Sequence, residues 1–296
     1  MSCRSKFQQA AYANGFFNFG AANLWHRAIA SRAKIVVVEI STGLPYLHGV
    51  DNGLHISEVD YLIEGDPGLP PELPNPPPCD ADRAVAQRIA AEVDAGACLQ
   101  VGIGDTKNLD RGKIVCSFAL GSHELYRIID RNTDFLCCPV EYTNLPHVIM
   151  QNERVVAINN TTQMDLQGQA SSESCGHRHI SGTGGQLQFV RGAYASKGGK
   201  SFVCLSSIYE RHGIRKSRIV LNLTPGNMVT TPRSDMMYVV TEFGMVNLKG
   251  MSVPERAHAM ISLAHPDFRD ELGREAREHG LIPVTSRHMG QGTRQL

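Results

Sequence analysis

Asp80-Ala-Asp-Arg-Ala-Val-Ala-Gln-Arg-Ile-Ala-Ala-Glu-Val-Asp-Ala-Gly-Ala-Cys-Leu-Gln-Val-Gly-Ile-Gly104 begins as a helix and closes as a strand. Asp80 or Asp82 can cap the helix, Val85, Ile89 and Val93 fall on one face, and Gly96 ends it. Cys98–Ile103 is then an apolar strand closed by Gly102 and Gly104. The same alternation runs outward in both directions. Upstream, Ala21–Ala30 has Leu24 and Ala28 at helical spacing, with Trp25 and Ile29 beside them, and leads into the Ile/Val run Lys34–Ile40. Asp60–Glu64 is a further short strand. Downstream, strands are predicted at Lys113–Ala119, Arg154–Asn159, Phe202–Ser206, Arg218–Leu223 and Met237–Thr241. Ser252-Val-Pro-Glu255 is a capping box with proline near N1, opening a helix to about Ala264. A second helix follows Pro266 and stops before Gly280. This pattern predicts α/β layers, with no internal repeat at periods of about 20–50 residues.

Two connections interrupt the alternation. Seven of the fifteen prolines (Pro67, Pro70, Pro71, Pro74, Pro76, Pro77 and Pro78) fall in one stretch. Residues 66–79 are therefore an extended surface connection, neither helix nor central strand. From Gly104 to Lys113 only about eight residues separate two strands, and a parallel crossover needs about a dozen or more. Either these strands pair antiparallel or the chain passes between domains there; the second is expected.

Composition bounds the partners. The 296 residues are 42% hydrophobic and 20% charged, ordinary for a globular chain of one large or two smaller domains. Lys+Arg and Asp+Glu are 29 each, so charge gives no argument for nucleic acid or an acidic membrane surface. The longest apolar runs, such as Ile35–Val38 and Cys137–Val140, fall far short of the roughly 20 residues a membrane span needs. Arg4, Lys6, Gln8, Gln9, Asn14, Asn18 and Arg27 break any secretory leader. A soluble cytoplasmic protein is expected. Of the eight cysteines, Cys98, Cys116, Cys137, Cys138 and Cys204 sit in strand-like contexts, as buried free thiols in a reducing compartment would.

Glycine marks the candidate binding segments. Ser181-Gly-Thr-Gly-Gly185, followed by Gly192, Gly198 and Gly199, can bring backbone N–H groups close to a ligand or can form plain turns. Spacing leaves both open. Lys197-Gly-Gly-Lys-Ser201 is not a phosphate-binding P-loop: Tyr194 stands where its first glycine belongs, and Phe202–Ser206 reads as strand instead of helix. Cys175-Gly-His177-Arg-His179 supplies no second ligand pair for zinc, so no metal is expected. No Gly-x-Ser-x-Gly elbow occurs.

A family resemblance gathers on these blocks. Glu39, His55-Ile-Ser57, Val59-Asp-Tyr61 and Leu99-Gln-Val-Gly-Ile-Gly104 resemble the acetyl-CoA hydrolases and transferases. So do Ile158-Asn-Asn, Gln163-Met-Asp-Leu-Gln-Gly168, Ser181–Ala193, Ser196-Lys-Gly-Gly199, Val239-Val-Thr-Glu-Phe-Gly244, Leu248-Lys-Gly250, Glu255-Arg-Ala257 and Ala264-His-Pro-Asp-Phe-Arg269. The likeness spans about residues 15–283 and is strongest to the 4-hydroxybutyrate and butyryl-CoA:acetate CoA-transferases. It implies two similar open α/β domains with the active site between them. The partial N-terminal domain would occupy 1–111, the C-terminal domain 112–283, and a tail 284–296. It also implies transfer of CoA between an acyl-CoA and a small carboxylate of the acetate, butyrate or 4-hydroxybutyrate class, as in fermentative acetate metabolism. In such transferases a glutamate attacks the thioester, giving an acyl–glutamyl anhydride and then a glutamyl-CoA thioester, with ping-pong kinetics. Gly182, Gly184, Gly185 and Gln186 would lie against the CoA thioester, and Gly198 and Gly199 complete the implied CoA-binding set. CoA thioester is then substrate, with no resident cofactor; a homo-oligomer is left open.

Departures from the family pattern sharpen the expectation. Counting along Ile158–Asp165 places Gln163 at the position of the nucleophilic glutamate, and an amide cannot form the anhydride. Losing a covalent nucleophile can cost orders of magnitude in rate. Asp165, two residues on and on the same face if this stretch is extended, is a substitute carboxylate or, as the favoured reading, a structural hydrogen-bonding group. Glu141, Glu173 and Glu242 are other candidates, and only Glu242 sits in a strong family block. The chain is also short: relatives carry several tens of extra residues where Gly104–Lys113 runs here, and the N-terminal domain is expected to be incomplete. The alternatives to a transferase are an acyl-CoA hydrolase, a non-catalytic CoA-binding homologue, and a truncated gene product.

Overall fold

The computed structural model describes residues 2–8, 14–100, 104–105 and 109–283. The predicted strand residues 101–103, part of the Gly104–Lys113 connection and the tail 284–296 lie outside them. Strands and helices alternate along the chain, giving the mixed α/β architecture that the sequence predicts. Two compact units form, each from several chain segments. The first gathers Met1–Pro77, Asp94–Ile158 and Gln188–Ser201; the second gathers Pro78–Val93, Asn159–Leu187 and Phe202–Leu296. A boundary at 111/112 divides the chain differently, because these units interleave in sequence.

In the first unit a five-stranded sheet runs in the order Gly53–His55, Phe16–Asn18, Ser2–Gln8, Ile35–Ser41, Tyr61–Glu64. The β-branched run Ile35–Ser41 pairs parallel with both its neighbours. Its alternation turns Val36 and Val38 into a core with Phe17, Phe19 and Leu54. The helix predicted over Ala21–Ala30 is only His26–Ala30 and buries none of its residues; Trp25 is 58% exposed. Apolar spacing over so short a stretch does not fix a helix against tertiary contacts.

Residues 66–79 contain no helix or strand, as the prolines dictate. The stretch is pinned within its own unit: Glu72 accepts from the His123 N–H at 2.6 Å, and Leu73 N–H donates to the Gly121 carbonyl at 3.1 Å. The Gly104–Lys113 expectation needs correction. Gly104–Asp105 pairs antiparallel with Ile114–Cys116, in one unit, so the chain does not cross between domains there. The short connection is that of a hairpin. Ile114–Cys116 then pairs parallel with Phe135–Cys137 over a core of Leu47, Cys116, Ala119, Tyr126, Ile129 and Cys137.

The second unit is built on strands and capped helices. Tyr238–Thr241 pairs parallel with the strand Lys200–Cys204 at Phe202–Cys204 and antiparallel with Gly244–Asn247. Arg218–Leu223, predicted as a full strand, contributes only Ile219–Val220. The helix Asp80–Ala90 starts one residue after Cys79, whose N–H donates to Asp82 at 2.9 Å. Glu255 accepts from both the N–H and the hydroxyl of Ser252 at 2.7 Å, closing the predicted capping box ahead of Val253–Leu263. The second predicted helix is Pro266–Glu278.

Cys79, Cys98, Cys116, Cys137, Cys138, Cys175 and Cys204 carry free thiols. Burial pushes the Cys138 thiol up to about 11 and the Cys204 thiol up to about 12, so both stay protonated and inert at neutral pH. Thiol titration of the denatured protein is expected to find all eight cysteines of the sequence free. A shortfall of two would reveal a disulfide and reverse this reading.

Candidate functional site

Gln163 lies in the short strand Gln163–Asp165, paired antiparallel with Ala170–Ser171 and parallel with Ile219–Val220. Its amide is engaged at both ends. Oε1 accepts from the Thr224 N–H at 2.8 Å and from Asn227 Nδ2 at 2.9 Å, while Nε2 donates to Thr224 Oγ1 at 3.0 Å. Asn227 reaches on to the next element, its Oδ1 accepting from the Gly176 N–H. Gln163 thus anchors the segment Thr224–Asn227, which in turn holds the hairpin Ser174–Cys175/Arg178–His179. Sequence reasoning missed Thr224 and Asn227; more than sixty residues separate them from Gln163, and no local pattern links them.

The carboxylates singled out in the sequence have tasks of their own. Asp165 is 1% exposed, and its Oδ1 accepts from the N–H groups of Gln167 at 3.0 Å and Gln169 at 2.9 Å. Its Oδ2 accepts from Gln169 Nε2 at 2.6 Å. It is the structural acceptor of a turn, not a substitute nucleophile. Glu173 is buried and accepts from Thr230 Oγ1 at 3.2 Å. Glu242 is held by Ser207, whose N–H lies 2.9 Å from Oε2 and whose hydroxyl lies 2.6 Å from Oε1. Glu141 belongs to the first unit.

The glycines divide into two groups. Gly182 and Gly184 precede the helix Gln186–Ala195, and a Cβ on either would meet nothing within 4 Å. Gly184 has φ +58°, a left-handed conformation that favours glycine. This stretch is open on its outer side and leads into a helix N-terminus, where backbone N–H groups can face an oxyanion. Gln186 does not share that opening: it is buried and its Nε2 donates to Thr231 Oγ1 at 3.0 Å. Gly198 and Gly199 follow the other end of the helix. A Cβ on Gly199 would fall 2.0 Å from the Ala193 carbonyl oxygen, so close backbone packing accounts for glycine there. Gly198 has φ +71°, a left-handed position that favours glycine. Cys175 is exposed, and among the described residues no group of three or more His, Cys, Asp and Glu could hold a metal ion. Nor, among the described residues, is any helix long and apolar enough to cross a membrane.

Two family models match this chain. The model of the acetyl-CoA hydrolase/transferase C-terminal domain matches residues 121–276, and that of the N-terminal domain matches residues 8–71. A butyryl-CoA:acetate CoA-transferase from Anaerostipes caccae is 39% identical over 308 residues, taking in 90% of this chain and 69% of the relative. Since 90% of 296 residues is about 266, about 42 of the 308 aligned positions have no counterpart here. A probable butyrate:acetyl-CoA coenzyme A-transferase from Syntrophomonas wolfei is 40% identical over 306 residues, with 90% and 68% covered. The crystal structure of RipA from Yersinia pestis superposes with a TM-score of 0.87 at 37% identity, covering 95% of this chain and 71% of that one. On the C-terminal match and these identities, the chain belongs to the acetyl-CoA hydrolase/transferase family, whose members are CoA-handling enzymes.

Proposed function

We propose that this chain binds short-chain acyl-CoA thioesters, of the acetate, butyrate or 4-hydroxybutyrate class, opposite a small carboxylate. Its CoA transfer is slow. The observation that carries the binding half is the open glycine segment at Gly182–Gly184. Backbone without side chains lets a thioester approach, and N–H groups ahead of Gln186–Ala195 are donors for its carbonyl oxygen. Slow transfer follows from the acids. Position 163 holds an amide with both ends engaged, and Asp165, Glu173 and Glu242 are each hydrogen-bonded in place. Gly198 and Gly199 stand outside this proposal, since a left-handed turn explains the first and close backbone packing the second, and Glu242 enters it as the acceptor that fixes Ser207.

Gly182→Val tests the binding half. Its Cβ meets nothing within 4 Å and its backbone is not left-handed, so the melting temperature is expected to stay within about a degree. CoA affinity, measured by calorimetry, is expected to fall at least about tenfold, equivalent to about 1.4 kcal/mol. Unchanged affinity in the folded variant would return the segment to a plain turn. A second reading, transfer at ordinary rates, is favoured by the two relatives being named CoA-transferases, and exchange kinetics decide it.

A further inference from the structure

Two buried thiols of the first unit face each other across a strand pair. Ile114–Cys116 runs parallel with Phe135–Cys137, and the register sets Cys116 directly opposite Cys137. Residues paired in this way project from the same face of a sheet, and neighbouring strands lie about 4.8 Å apart. Disulfides span about 4.4–6.8 Å between Cα atoms, so this pairing suits one. The side chains meet as the register requires. The Cys137 thiol has two acceptors in reach, the Ser117 carbonyl at 3.6 Å and the Cys116 sulfur. Both cysteines belong to one core cluster, where Cys116 is 3% and Cys137 0% exposed.

The pair is also polarised. The hydrogen bond from Cys137 holds the Cys116 thiol below its ordinary pKa, against the opposing effect of burial. That same bond and burial push Cys137 up. Cys116 is therefore the attacking sulfur, and Cys137 keeps its proton until the second step. Each cysteine ends a strand only three residues long, and Phe118 and Leu120 just beyond Cys116 are half exposed. Local opening at such an end admits a small uncharged reagent.

We propose that Cys116 and Cys137 are a peroxide-reactive dithiol that closes to an intrachain disulfide. The Cys116 thiolate attacks one oxygen of hydrogen peroxide and the O–O bond breaks. Sulfur is oxidised to the sulfenic acid, and the departing hydroxide takes the proton that Cys116 gave up, leaving as water. The Cys137 sulfur then attacks the Cys116 sulfur. The S–S bond forms as the S–O bond breaks, and the Cys137 proton leaves with the hydroxyl as a second water. Two thiols and one peroxide thus give one disulfide and two waters.

The test treats the reduced, folded full chain with hydrogen peroxide, then denatures it in iodoacetamide and maps its peptides by mass spectrometry. The peptide of Cys116 is expected to be joined to that of Cys137, with the melting temperature raised and dithiothreitol restoring both thiols. Cys116→Ala and Cys137→Ala are expected to lose the joined peptide, and Cys138→Ala to retain it. Should a variant fail to fold, the wild-type map still decides. Cys116 and Cys137 both alkylated, at a peroxide dose that oxidises the exposed Cys79 and Cys175, overturns the proposal. So does a link that Cys138→Ala abolishes, or one that forms only in the denatured chain.

Discussion

Asp165→Ala is expected to destabilise the protein by about 3 kcal/mol, as two part-buried N–H groups lose their acceptor at about 1–3 kcal/mol each. Those groups are the amides of Gln167 and Gln169, both bonded to Oδ1, with Gln169 Nε2 on Oδ2. Asp165→Asn separates this role from one that needs charge. An asparagine keeps Oδ1 for both amides, and its Nδ2 can donate to Oε1 once the Gln169 side chain flips. It should cost about 1 kcal/mol or less. Calorimetric melting curves measure both, with the alanine variant falling by several degrees. An alanine variant within about 1 kcal/mol of wild type would mean the turn 165–169 satisfies its amides without the carboxylate.

Much of this fold was legible because local signals agreed with tertiary ones. Ile35–Ser41 is β-branched and half-buried, and Ser252–Glu255 is a capping box wherever it is placed. The proline stretch could only be extended. Misreadings arose where a short local pattern met a longer-range constraint. Ala21–Ala30 showed helical spacing, but Asn23 in its midst is fully buried and donates to the carbonyls of Val50 and Cys137, which holds that part of the chain out of a helix. The Gly104–Lys113 link was too short for a crossover, and antiparallel pairing satisfied that limit more simply than a passage between domains.

The candidate site was half legible for a related reason. Glycine content singled out 181–185, as ligand-facing backbone or plain turns, yet could not separate Gly182 from Gly199, since one glycine faces space and the other a carbonyl oxygen. Only three-dimensional neighbours distinguish them. Likewise the sequence located Gln163 but not its partners Thr224 and Asn227.

Exchange of CoA between acetyl-CoA and butyrate is expected to run at least about a thousandfold below ordinary enzyme rates in the natural chain, the scale of losing a covalent nucleophile. Mass spectrometry should then find no enzyme–CoA thioester. Gln163→Glu examines whether position 163 can supply that nucleophile. A carboxylate there would keep the N–H of Thr224 and Nδ2 of Asn227 as donors, and the Thr224 hydroxyl can rotate to become a third. The variant should fold normally. Three donors stabilise the anion and blunt its attack on a thioester, and they hold it against the segment 224–227. We therefore expect exchange to rise less than tenfold, a barrier change under about 1.4 kcal/mol. A larger rise with a borohydride-reducible thioester at residue 163 would show that the position is the family's nucleophile and that Thr224 and Asn227 release it during turnover. Ordinary exchange by the natural chain would point elsewhere, to a carboxylate other than the four considered.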